Sequence, residues 1–156
     1  MEHATPVTTP EQFKALGHPT RHRILFALAQ REATISQLAA ELGTNKGNVA
    51  HHLKVLTDAG LVRVCGTRQV RGGTEQYYER SFTALEFTDQ ATTGAAFQAL
   101  ATEIAAAEDP FLTIRTLRLT AEHASRIAAV LQDLTAEQAD GADQPRYSLL
   151  LGFYQN

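Results

Sequence analysis

Five side chains within residues 45–54, Asn45, Lys46, Asn48, His51 and Lys54, bring two amides, an imidazole and two ammonium groups into one short stretch. Amides and imidazoles match the donor and acceptor patterns of base edges, and ammonium groups match phosphate oxygens. Arg68 and Arg71, further along, add two guanidinium groups suited to the same phosphate backbone. Catalytic patterns are missing: no nucleophile is set beside a base, no glycine-rich loop could cradle a phosphate, and no metal triad has a usable spacing. The sequence predicts a binding protein, not an enzyme, with no catalytic residues, no metal site and no cofactor.

Periodicity shows which elements must present these residues. Over 34–62, Ile35, Leu38, Ala39 and Leu42 fall at i, i+3, i+4 and i+7, and Thr34 with Gln37 has the form of a capping box. Gly43 ends that helix. A second helix is predicted from Asn45, as its cap, to about Ala59, burying Val49, Leu53 and Leu56 with Gly60 as its stop. At about 100° per residue, Gly47, His51, Lys54 and Asp58 point away from that core with Asn48 on the flank, while His52 leans toward it as a packed histidine. Two strands follow over 61–66 and 75–81, and the loop between them, TRQVRGGT, carries Arg68, Arg71 and the turn pair Gly72-Gly73. Upstream, FKALGHPTRHRILFALAQ predicts a short helix over 11–16, a break at His18-Pro19 and a helix with Ile24, Leu25 and Leu28 on one face. The sum is a winged helix-turn-helix.

These pieces, "LGHPTRHRIL.AL", "ISQLAAELG", "HHLKVLTDAGLV" and the wing "R..RGGTEQYY", resemble in order and spacing the ArsR family of bacterial transcription regulators. The resemblance covers about half of the chain, and it implies that Lys46, Gly47, Asn48, Ala50 and His51 form the front of a recognition helix. Relatives often carry Ser at the position of Ala50, and Pro or Ser at that of Gly47. Metal sensing also comes with the resemblance, but ISQLAAELG lacks a cysteine pair and Glu122-His123 lacks a second histidine on its helix. No metal ligand set is expected.

The formal charge of −3 is unevenly spread. Residues 11–81 hold ten Lys/Arg against six Asp/Glu, so the half with the helix pair is the one that attracts phosphates. The single cysteine, Cys65, excludes an intrachain disulfide and fits a reducing compartment. The longest apolar run is the LLLGFY segment, and no signal peptide is evident, so a cytoplasmic protein away from membranes is expected.

Residues 1–10 read as a flexible N-terminal arm, 11–82 as the DNA-binding domain and 83–156 as a C-terminal dimerisation or effector module. In the last part an irregular stretch over 83–93 precedes an Ala-rich helix over 94–107 with Phe97, Leu100, Ala101 and Ile104 as its stripe. A strand, FLTIRTLRL, a helix carrying Ala124, Ile127, Ala128, Leu131 and Leu134, and a final strand, RYSLLLGFY, complete it. The fold class is thus mainly α with small β, a winged helix-turn-helix followed by an α/β module. The expected function is a homodimeric regulator, a repressor on a palindromic operator in double-stranded DNA, with room for a small organic effector. The competing reading is a winged module that binds protein or RNA, against which the basic wing argues.

Overall fold

The computed structural model describes residues 5–87, 89–110 and 117–136; the first two ranges belong to one compact unit and the third to another. In the larger unit, helix α1 (Pro10–Leu16) starts at a Thr9/Gln12 capping box and α2 (Pro19–Gln30) starts behind His18, whose Nδ1 accepts the Thr20 N–H at 3.2 Å. Both helices place proline first, where a missing N–H is harmless. Helix α3 (Ile35–Leu42) is capped reciprocally by Thr34 and Gln37, as the sequence predicts, and ends at Gly43, whose φ of 65° is open to glycine at little cost. Helix α4 (Lys46–Asp58) follows after three residues. Leu16, Ile24, Leu38, Val49, Leu53 and Leu56 are fully buried and bind the four helices into one core.

The wing sheet contains β2 (Ala33–Thr34), β3 (Val62–Val70) and β4 (Gly73–Arg80) in the order β2-β4-β3, all antiparallel. The strands extend well beyond the predicted bounds, so Arg68 lies on β3 and not in a loop, and the turn shrinks to Arg71-Gly72, with Gly72 at φ 105°. The outer ribbon is exposed on both faces, so no apolar alternation marks it in the sequence. Cys65 is the extra residue of a bulge, because Val64 faces Tyr78 while Gly66 faces Tyr77.

Two further expectations are corrected. The predicted arm is tied down from Thr5 onward: β1 (Thr5–Pro6) pairs in parallel with β5 (Leu85–Glu86), Val7 is buried, and β5 lies inside the stretch read as irregular. Helix α5 (Gln90–Ala106), capped by Asp89, starts earlier than predicted and packs on α1 and α2. The compact unit therefore continues past residue 82 to include α5. The buried face of α5 is Thr92, Ala95, Ala96 and Ala99, and Phe97 is turned outward at 51% exposure. Close approach to α2 favours the small residues, which a count of large apolar positions overlooks.

In the second unit α6 (Ala121–Ala136) forms where the periodicity placed it, with Thr120 Oγ1 accepting the His123 N–H. Its Ile127, Val130 and Leu131 line, with Leu119, His123 and Arg126, an open surface depression of about 390 Å³. The predicted final strand, and 111–116 of the strand before α6, lie outside the described residues. Among the described residues no helix is long and apolar enough to cross a membrane.

Candidate nucleic-acid interface

Helix α4 is held from below. Val49, Leu53 and Leu56 are sealed in the core, and His52, at 5% exposure, joins them. Arg21 supports this contact: its guanidinium donates to the Ala15 and Lys14 carbonyls at the end of α1, and Nη1 lies 3.5 Å from His52 Nδ1. The His18 ring lies 4.7 Å from that of His52, tilted by 45°, and His51 meets the His52 ring edge-on at 5.3 Å. Burial and the neighbouring cationic groups push His52 down to about 4, so it packs as a neutral ring. Arg21 and a second buried histidine, His22, whose Nε2 donates to the Leu16 carbonyl at 2.7 Å, were not singled out by the sequence reading. Their signal is weak, since a polar residue on an apolar helix face marks burial only when a partner is known.

On the opposite side of α4 every predicted contact residue is exposed: Asn45, Lys46, Asn48, His51 and Lys54. Asn45 acts as the cap, its Oδ1 accepting the Asn48 N–H at 2.8 Å. The Asn48 side chain donates from Nδ2 to Thr44 Oγ1 at 3.1 Å, a partner that periodicity had no means to indicate. Lys54 forms an i,i+4 pair with Asp58 at 2.8 Å, so its ammonium is partly neutralised. In the wing Arg68 lies 3.9 Å from Glu75 and Arg63 lies 2.6 Å from Glu79. Lys46 and Arg71 differ from these. Among the described residues neither has a carboxylate partner, and Arg71 occupies the tip of the hairpin. The structure thus sets Asn48, His51 and Lys54 on the face of α4 away from the core, Asn45 and Lys46 exposed at its N-terminal end, and Arg68 and Arg71 apart on the wing.

Cys65 is exposed at the bulge, where its Sγ donates to Glu32 Oε2 at 3.2 Å and to the Tyr77 carbonyl at 3.4 Å. Local desolvation and the Glu32 carboxylate push the thiol up to about 11. It is a thiol and not a thiolate at neutral pH. Among the described residues no group of three histidine, cysteine or acidic side chains is placed to hold a metal ion.

Known proteins resemble the same region. A family model described as "Bacterial regulatory protein, arsR family" matches residues 18–64. The HTH-type transcriptional regulator CmtR of Mycobacterium tuberculosis is 49% identical over 49 residues, 31% of this chain and 42% of CmtR, so the chain spans less than half the length of that relative. The transcriptional repressor SdpR of Bacillus subtilis is 31% identical over 74 residues, which cover 47% of this chain and 77% of SdpR. Among solved structures, that of the cadmium metal-sensor CMTR from Mycobacterium tuberculosis aligns with 70% of this chain and all of that one, at 28% identity and a TM-score of 0.36.

Proposed function

The chain belongs to the arsR family of bacterial regulatory proteins, and from that premise we propose that it is a DNA-binding transcriptional regulator acting as a homodimeric repressor on a palindromic operator. The observation that carries this reading is the division of α4: a sealed apolar face under an exposed row of amide, imidazole and ammonium groups. A helix so anchored presents its polar row at a fixed angle, which is the requirement for reading a major groove. Asn48 and His51 take the base edges; Asn45 caps the helix and lies exposed at its start, within reach of the contact; Lys46, Lys54, Arg68 and Arg71 take phosphates or the minor groove. A lone winged unit reaches one half-site, and two linked units gain by effective concentration, which favours a dimer on a two-fold symmetric site.

The effector in this reading is a small organic molecule. The open, mainly apolar depression on α6, which His123 and Arg126 also line, has room for such a molecule.

The full chain should select a two-fold symmetric sequence from a random duplex library and sediment as a dimer, free and bound. A monomer that holds the selected duplex tightly, or a dimer that enriches no sequence, would refute it.

A further inference from the structure

We propose that Asn48 reads an adenine in the major groove and that Thr44, outside the recognition helix, is the positioning residue that presents it for this purpose. The proposal rests on the reading of α4 as the base-contacting helix and goes one step further, to the base read and the residue that sets the choice.

An asparagine side chain offers two N–H donors and one oxygen with two lone pairs. In the free protein one donor is already in use, since Nδ2 bonds Thr44 Oγ1 at 3.1 Å. That leaves Oδ1 and one N–H, an acceptor and a donor side by side on an exposed amide. Adenine is the base whose major-groove edge pairs a donor, N6–H, with an acceptor, N7. Guanine presents two acceptors there and would ask for two donors. Cytosine offers a donor alone, and thymine an acceptor beside a methyl group.

Thr44 is itself well placed to hold an amide steady. Its backbone N–H bonds the Ala39 carbonyl at 3.0 Å, behind the left-handed Gly43, so it belongs to the closed end of α3. Asn45 Oδ1 fixes the start of α4 by taking the Asn48 backbone N–H. The Asn48 side chain therefore bridges the turn between the two helices, and one of its rotamers is favoured before DNA arrives. Ordering a side chain in advance removes part of the entropy lost on binding. Gly47 carries no side chain beside Asn48, and a Cβ there would lie 3.4 Å from Asn45 Oδ1.

The test is selection from a random duplex library with the full-length wild type and Asn48→Ala, followed by titration of the selected duplex and its single-base variants. Asn48→Ala should lose preference at one position per half-site, and that position should be an A·T pair in the wild-type selection. Replacing the adenine by guanine should weaken wild-type binding by about tenfold or more and Asn48→Ala hardly at all. Thr44→Val, which keeps the branched shape and removes the hydroxyl, should lower the adenine-to-guanine ratio severalfold with the salt dependence unchanged, and Thr44→Ser should restore it. A merely structural Thr44 would weaken all duplexes alike. If the position lost in Asn48→Ala is a guanine, the amide is turned, with Thr44 donating to it, and the proposal is wrong; an undiminished ratio in Thr44→Val overturns the role of Thr44. If Asn48→Ala alters no position while the wild type still selects a sequence, the base-reading role of Asn48 fails with it, leaving the regulator reading in place.

Discussion

His52 shows how much one residue of the recognition helix depends on groups that sequence neighbours do not reveal. Its burial follows from its place beside Leu56 at the edge of the apolar face on the helical wheel, whereas its dependence on Arg21, thirty-one residues away, comes from the tertiary fold alone. The groups facing it, His18, Arg21 and His51, all act against a charge on its ring, and no carboxylate compensates them among the contacts of the described residues. The folded-state pKa, about 4, lies below the ordinary value of 6.5, so the unfolded chain takes up the proton first as pH falls. Stability from this group is therefore whole above pH 6.5 and declines toward pH 4, by at most about 1.4 kcal/mol per pH unit for one proton. Urea midpoints should fall between pH 7.5 and 4.5 more steeply in the wild type than in His52→Gln; parallel curves would contradict the assignment. Cys65 gives a second test at this scale: held as a thiol by Glu32, it should be replaceable by serine with DNA affinity unaltered in the presence or absence of cadmium or zinc. Metal-dependent release of the wild type that Cys65→Ser abolishes would show that the thiol is a sensor after all.

At the level of elements, the helices with caps and wide apolar stripes were legible in the sequence. Thr34-Gln37, Asn45 and Gly43 each combine a residue type with a local hydrogen bond, and each sits where the pattern placed it. The wing ribbon and α5 were read less well, for opposite reasons. The ribbon has no buried face to impose a period of two, and α5 buries alanines, which carry little hydrophobic signal. The reversed face of α5 leads to a prediction. Ala99, with no exposed surface where α5 packs toward α2, should not tolerate leucine, and Ala99→Leu should lower stability by about 1–3 kcal/mol through overpacking. Phe97, half exposed, is free to join two copies, so Phe97→Ala should melt close to the wild type while shifting the sedimentation equilibrium toward monomer. The same two variants with their effects exchanged would restore the stripe read from the sequence. The predicted final strand and 111–116 of the strand predicted before α6 fall outside the described residues, while 117–119 of the latter are described and are not part of a strand.

The whole molecule divides its charge as it divides its work: residues 11–81, with α4 and the wing, hold most of the cations, and the acidic remainder is suited to lie away from DNA. Within the basic part, affinity and discrimination are assigned to different elements. In the proposed reading Arg71, at the wing tip and without a carboxylate partner among the described residues, supplies sequence-independent attraction, and His51, exposed at the middle of α4, supplies discrimination. The most direct test of that division is the salt dependence and the selected-to-random affinity ratio of the full chain, compared among the wild type, His51→Ala and Arg71→Ala. Arg71→Ala should weaken both duplexes alike and reduce the salt slope by about one unit per phosphate released in each subunit, preserving the ratio. His51→Ala should lose about 1–3 kcal/mol on the selected duplex and little on random DNA, with the slope unchanged. If Arg71→Ala abolishes the ratio while His51→Ala alters only the salt-dependent affinity, α4 is not the reader and the division proposed for this molecule is contradicted.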